Sequence, residues 1–144
     1  MVLLNDDVKQ RLGALLDELA GPVELALYSG PEGEAGEIMR TLMEEVVACG
    51  PGKLSLRPLA DAPAVEPGRE SAFAAEGPIL TVAPAGATEA RMRFLGVTGG
   101  HEFGAFVAAI QHAAADATDV SGGTVTALGG LGHRVHIQVF TTPT

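Results

Sequence analysis

Cys49 is the only thiol in this 144-residue chain. One cysteine cannot close an intrachain disulfide, complete a four-thiolate zinc site or run two-thiol redox chemistry within one chain. The pattern places it at the C-terminal end of a helix beside Glu44 and Glu45. The negative end of the helix dipole and the two carboxylates disfavour a thiolate there, so Cys49 reads as a small packing residue. Gly30, Gly33 and Gly36 lie between a strand and a helix, where a phosphate cradle can form. Their spacing is not the dinucleotide fingerprint G-x-G-x-x-G, and Glu32, Glu34 and Glu37 would repel a phosphate. His101-Glu102 suggests zinc, but the second histidine of a metalloprotease helix would fall on Ala105. His133 and His136 flank a loop-to-strand junction with no third ligand in reach of the pattern. No serine sits in a nucleophile elbow. These residues predict no catalytic group, no metal site and no cofactor in this chain.

The elements that must carry these residues follow from hydrophobic spacing. Val8, Leu12, Leu15, Leu16 and Leu19 form one stripe of a helix over 6–19, capped by Asn5 or Asp6 and stopped by Gly21-Pro22. VELALY (23–28) reads as a strand. A loop over 29–33 leads to a helix over 34–48, with Ile38, Leu42, Met43, Val46 and Val47 on its apolar side. Strands are predicted at 54–59, 78–83 and 90–95, the last two joined as a hairpin. Residues 60–77 read as an irregular connection. Gly99-Gly100 precedes a helix over 101–115. The first strand–helix–strand unit predicts a parallel crossover, and the whole predicts an α/β fold: a four-stranded mixed sheet flanked by helices on both faces.

Residues 116–134 break the pattern with Ser-Gly-Gly, Gly-Gly and Leu-Gly-His, and read as a linker with a weak helical turn near 124–131. VHIQVF (135–140) then reads as a clean strand that could play the part of VELALY. An apolar strand without a sheet of its own seeks an edge, on its own domain or on a second copy as a homodimer.

Charge and composition narrow the partners. Hydrophobic residues make up 47% of the chain, enough for a core, and no apolar run approaches the length of a membrane span. The net charge of −9 argues against nucleic acid and against an anionic membrane surface. Residues 1–76 hold fourteen acidic and six basic side chains, and 77–144 hold four and three. The acidic N-terminus lacks the basic start of a secretory signal, which predicts a cytoplasmic protein.

The element order resembles the thioredoxin fold. Glu76-Gly77-Pro78-Ile79-Leu80-Thr81-Val82 sits where that family has its proline before the third strand. The run from Phe94 to Phe103 looks like the F-x-G-x-x-x-G-H-E-F of one subgroup, with Phe94, Gly96, Gly100, His101, Glu102 and Phe103 on the motif. That subgroup is the two-unit, glutaredoxin-like protein disulfide oxidoreductases; the N-terminal domain of the alkyl hydroperoxide reductase flavoprotein subunit is similar. The resemblance implies a cis bond before Pro78 and a structural role for the Phe94–Phe103 run. It also implies two units in tandem, the second opening on a strand similar to VHIQVF followed by C-x-x-C. Thr144 falls where that motif would begin. The chain therefore reads as a first unit (1–116), a Gly-rich linker (117–134) and the opening strand (135–144) of an absent second unit. Where some family members carry a first C-x-x-C, this chain has Ser29, Gly30, Pro31, Glu32, Gly33 and Glu34, and no cysteine. The resemblance implies a redox-inactive unit of a thiol–disulfide oxidoreductase system, in which a reductase passes electrons to disulfides or a peroxidase. The partner would be a redox protein or the absent second unit. The rival reading is a binding module that holds an extended peptide near Pro78 or on an open sheet edge.

Overall fold

In the computed structural model, residues 1–64, 77–90, 92–115 and 117–141 are described. Most of the predicted connection at 60–77, together with Arg91, Asp116 and the last three residues, lies outside them.

Helix α1 spans Asp6–Asp17, and the Asn5 side chain accepts the Val8 N–H to cap it. Strand β1 (Val23–Tyr28) leads through a loop to α2 (Glu34–Cys49), then to β2 (Leu54–Leu59). The pair β1–β2 is parallel, as the crossover requires. Strand β3 (Ile79–Pro84) enters antiparallel on the other side of β1, and β4 (Met92–Leu95) returns beside it as a hairpin. The sheet order is β2-β1-β3-β4. Pro58 is tolerated because β2 is an edge strand. A 3-10 turn (Gly100–Glu102) opens α3 (Phe103–Ala115).

Of the two faces predicted to carry helices, the described residues place helices on one. Register puts Val23, Leu25, Leu27, Leu54, Leu80 and Val82 on one side of the sheet. All six share one core cluster with Leu12 and Leu16 of α1, Met39 and Met43 of α2, and Phe106 and Ile110 of α3. Among the described residues the three helices therefore cover one face. The alternate residues Ala26, Thr81 and Ala83 are small, and none of these three helices packs on them. Arg93 of that face donates to the Ala64 carbonyl (2.8 Å), which brings the start of the long connection over it.

Helices α1 and α2 are joined by a carboxylate. The N–H groups of Leu3 and Leu4 donate to the two Glu45 oxygens at 2.8 and 2.9 Å, and the Lys9 ammonium lies 3.3 Å away. The Leu3 and Leu4 bonds hold the Glu45 carboxyl below the ordinary glutamate value. Burial opposes them and Lys9 adds to them. A lowered folded value makes this contribution complete above the ordinary glutamate range, about pH 4.3. It is lost as pH falls through the lowered folded value. Stability measured from pH 6 down to pH 3 should therefore fall less steeply in Glu45→Gln than in the wild type.

In the C-terminal region the expected helical turn is present and the expected strand is not. The predicted linker contains a capped helix, α4 (Gly122–Gly129), whose Ser121 hydroxyl accepts the Thr124 N–H. VHIQVF is not a strand: it pairs with no strand among the described residues and its apolar side chains are exposed. The alternation is right, but a strand exists only where a ladder partner satisfies its backbone.

Burial also exposes a repeat. Shifting the numbering by 112 residues (135 minus 23) superposes α4 on the end of α1 and VHIQVF on VELALY without a gap. Leu16, Leu19, Val23, Leu25 and Leu27 then match Leu128, Leu131, Val135, Ile137 and Val139, and Tyr28-Ser29 matches Phe140-Thr141. The first set is core and the second is exposed: Leu25 is 0% accessible and Ile137 is 80%.

Candidate functional site

Three connections meet at one end of the sheet: Ser29–Gly33 after β1, Gly77–Pro78 before β3, and Gly96–Gly99 after β4. The Gly96 N–H donates to the Pro78 carbonyl at 2.8 Å, and the buried Thr98 hydroxyl points at the Met39 sulfur of α2 at 3.6 Å. The fit is tight enough to dictate residue type. A Cβ on Gly36 would stand 2.2 Å from the Ser29 carbonyl oxygen. One on Gly30, at φ +82°, would meet the Gly77 carbonyl at about 3.0 Å. The start of α2 is thereby pressed against the loop that precedes it.

Pro31, Glu32, Gly33 and Glu34 are exposed, and Ser29 and Gly30 are half-buried beside Gly77. Gly33 caps α2 without a side-chain bond, and Glu34 and Glu37 occupy its positive end. The loop offers one hydroxyl and a cluster of carboxylates, and no thiol. Pro78 is fully buried, but the bond before it is trans, correcting the implied cis form. The trans isomer of X–Pro is favoured by roughly 0.5–1 kcal/mol, and the packing around Pro78 is satisfied without reversing that preference.

Cys49 lies at the far end of α2, about 22 Å along the axis from Glu34 at 1.5 Å per residue. It is half-buried, and its thiol donates to the Glu45 carbonyl at 3.2 Å. Burial is the first cause pushing its pKa up; Lys9 partly opposes this and Glu45 adds to it. Sequence reasoning assigned that direction to charge and dipole alone.

The Phe94–Phe103 run divides by burial. The rings of Phe94 and Phe103 each lie 5.9 Å from Phe106, the former edge-on at 87°. Gly96 and Gly100 turn the chain between them. His101 is exposed, and Glu102 accepts a hydrogen bond from the Thr141 hydroxyl. The Arg134 guanidinium meets the Glu89 carboxylate at 2.5 Å. The segment 134–141 is thus held at both ends, ahead of β4 and after it. Among the described residues no three His, Cys, Asp or Glu side chains gather as a metal-binding group, and no helix is long and apolar enough to cross a membrane.

The sequence matches no protein-family model and no curated protein. Solved structures do match. One is the NTD_N/C domain of the alkylhydroperoxide reductase AhpF from Enterococcus faecalis, at 18% identity and TM-score 0.66, covering 84% of this chain and 57% of that one. A second structure of AhpF from the same organism matches at 18% identity and TM-score 0.69, covering 89% and 61%. A protein disulfide oxidoreductase from Aeropyrum pernix matches at 26% identity and TM-score 0.65, covering 91% and 56%. This chain has a thioredoxin fold. It spans somewhat over half the length of each of these neighbours. The loop between β1 and α2, with Glu34 at the start of the helix, holds no cysteine. The residue that sequence reasoning missed is Glu45, read only as a neighbour of Cys49. Its one signal was a carboxylate within an otherwise apolar helix face.

Proposed function

We propose that this chain is a dithiol-free thioredoxin unit of a thiol–disulfide oxidoreductase or peroxide-reducing system. It would serve as scaffold and as a surface that presents partners. The observation that carries this reading is the loop between β1 and α2. It is packed tightly around Gly30 and Gly36 but holds no cysteine, while the one thiol stands at the opposite end of α2 with its thiolate disfavoured. Thiol–disulfide exchange needs an attacking thiolate and a second thiol to resolve the mixed disulfide. Both would come from another unit.

The repeat supports a tandem arrangement. Segment 118–141 has the pattern of α1 and β1 with its apolar residues uncovered, as the first third of a second unit would have. On this reading α4 opens the second unit and the linker shrinks to the residues just after α3. Two copies meeting through 135–140 would cover the same residues in trans. A lone unpaired thiol suits a reducing compartment such as the cytoplasm.

The test is insulin reduction driven by dithiothreitol. The wild-type chain and Cys49→Ser are both expected to run at the uncatalysed rate. Turnover by the wild type that vanishes in Cys49→Ser would overturn the dithiol-free reading.

A further inference from the structure

The four residues before α1 touch the body of the protein at a defined place. Met1 and Val2 are open to solvent at 78% and 75%, whereas Leu4 is buried at 8%. Between them the chain is held by the backbone of Leu3 and Leu4, and both N–H groups end on one side chain, Glu45 of α2. Each carboxylate oxygen takes one of them, and Lys9 of α1 stands over the second oxygen. The cap of α1 does not depend on this arrangement, because it is made by the Asn5 side chain on Val8. A rotation about the Leu4–Asn5 junction could therefore lift the segment without unwinding the helix.

Beside the segment lies an apolar hollow of about 300 Å³, partly open to solvent. Leu3 and Leu4 form one wall, and Ile38, Leu42, Val97 and Phe103 form much of the rest. A second hollow of about 170 Å³ continues from it between α1 and α3, sharing Val8 and Phe103. The larger space reaches the Gly99-Gly100 turn, and so adjoins the loops gathered at the end of the sheet.

We propose that Met1–Leu4 is a strap that walls one side of the apolar hollow between α1, α2 and the β4–α3 turn, with Glu45 as its latch. Charged hydrogen bonds are the strong ones, and here two of them share a single acceptor group. Chain termini are otherwise the first part of a domain to open. Removing the carboxylate frees both N–H groups at once. The strap then opens as a local event while the sheet stays folded, and the hollow widens. The charged neighbour that faces the latch from α1 is Lys9, and from α2 the Cys49 thiol bonds the Glu45 backbone carbonyl.

The experiment is native-state hydrogen exchange on the full chain, with Nile red, a neutral apolar dye, as a second reporter. In the wild type the Leu3 and Leu4 amides should be protected. In Glu45→Ala they should exchange at least tenfold faster, through an opening that low urea does not accelerate, with dye emission increased. If Glu45→Ala fails to fold, the isosteric Glu45→Gln gives the same comparison with an intermediate effect, since its amide oxygen still accepts one bond. Unchanged Leu3 and Leu4 exchange would overturn the latch. Leu3 and Leu4 exchange that rises with urea as steeply as that of Leu25 and Leu80 would also overturn it, because the segment would then open only with the whole domain.

Discussion

Phe106→Ala should lower the unfolding free energy by about 3–5 kcal/mol, the range for removing a fully buried phenyl ring. Phe106 is completely inaccessible and stands where α3 meets the sheet, with Phe94 edge-on to it and Phe103 tilted against it, both at 5.9 Å. The void would be bounded by a sheet and two helices that cannot close together without moving Leu80 and Ile110. Domains of this size are stable by only about 5–15 kcal/mol, so the variant should lie near its unfolding midpoint in mild urea. Urea titration followed by circular dichroism measures this as a lower midpoint at unchanged slope. Phe103→Ala is the comparison. That ring is half-buried and already borders a cavity, so its removal should cost clearly less. Equal losses would show that the aromatic cluster does not centre on Phe106.

Gly36→Ala should destabilise the protein although helix propensity alone points the other way. Alanine in a helix interior is worth about 0.5–1 kcal/mol over glycine. The added methyl, however, would lie 2.2 Å from the Ser29 carbonyl oxygen, which is backbone and cannot rotate aside. Overpacking of this kind costs typically about 1–3 kcal/mol and outweighs the propensity gain. Gly104→Ala in α3 supplies the contrast, since nothing lies near its added Cβ and only the propensity gain should remain. In Gly36→Ala, amide shift changes should concentrate at 29–36 and 77–78, where the loop is pressed between α2 and the start of β3. A net gain in stability from Gly36→Ala would mean that the loop and α2 are not in contact as described.

The legible part of this fold is the local part. The stripes Leu12–Leu16 and Met43–Val46 and the alternation of Val23, Leu25 and Leu27 encode α1, α2 and β1 within a few residues, and the observed bounds differ by a residue or two. The order of elements was enough to point to a thioredoxin fold. The face chosen by the helices was not, because small residues at Ala26, Thr81 and Ala83 are compatible with either side being covered. The isomer before Pro78 escaped for a different reason. A preference of roughly 0.5–1 kcal/mol is settled by neighbours distant in sequence, among them Gly30 and Gly96.

The candidate site divides in the same way. That Ser29–Glu34 hold no cysteine could be read directly, since it is a property of composition. The Cys49 direction was right while its first cause was wrong: burial between α1 and α2 is a contact between segments far apart in the chain. Glu45 could not be found, because its partners are backbone N–H groups of Leu3 and Leu4, and every residue but proline carries one. The repeat was present in the letters throughout. It became visible only when Leu25 proved inaccessible and Ile137 exposed, since apolar residues look alike until packing separates those that found a core from those that did not.

By itself, then, the sequence determined that this chain carries a single thiol, and which segments of the first 115 residues are helical or extended. Both depend on residue type and on spacings of two to four residues. Tertiary structure alone decided that three helices share one face, that VHIQVF remains without a ladder among the described residues, and that one carboxylate fastens Leu3 and Leu4 beside an apolar hollow. Each of those rests on which distant groups come within a few ångströms of one another, and neither periodicity nor composition carries that information.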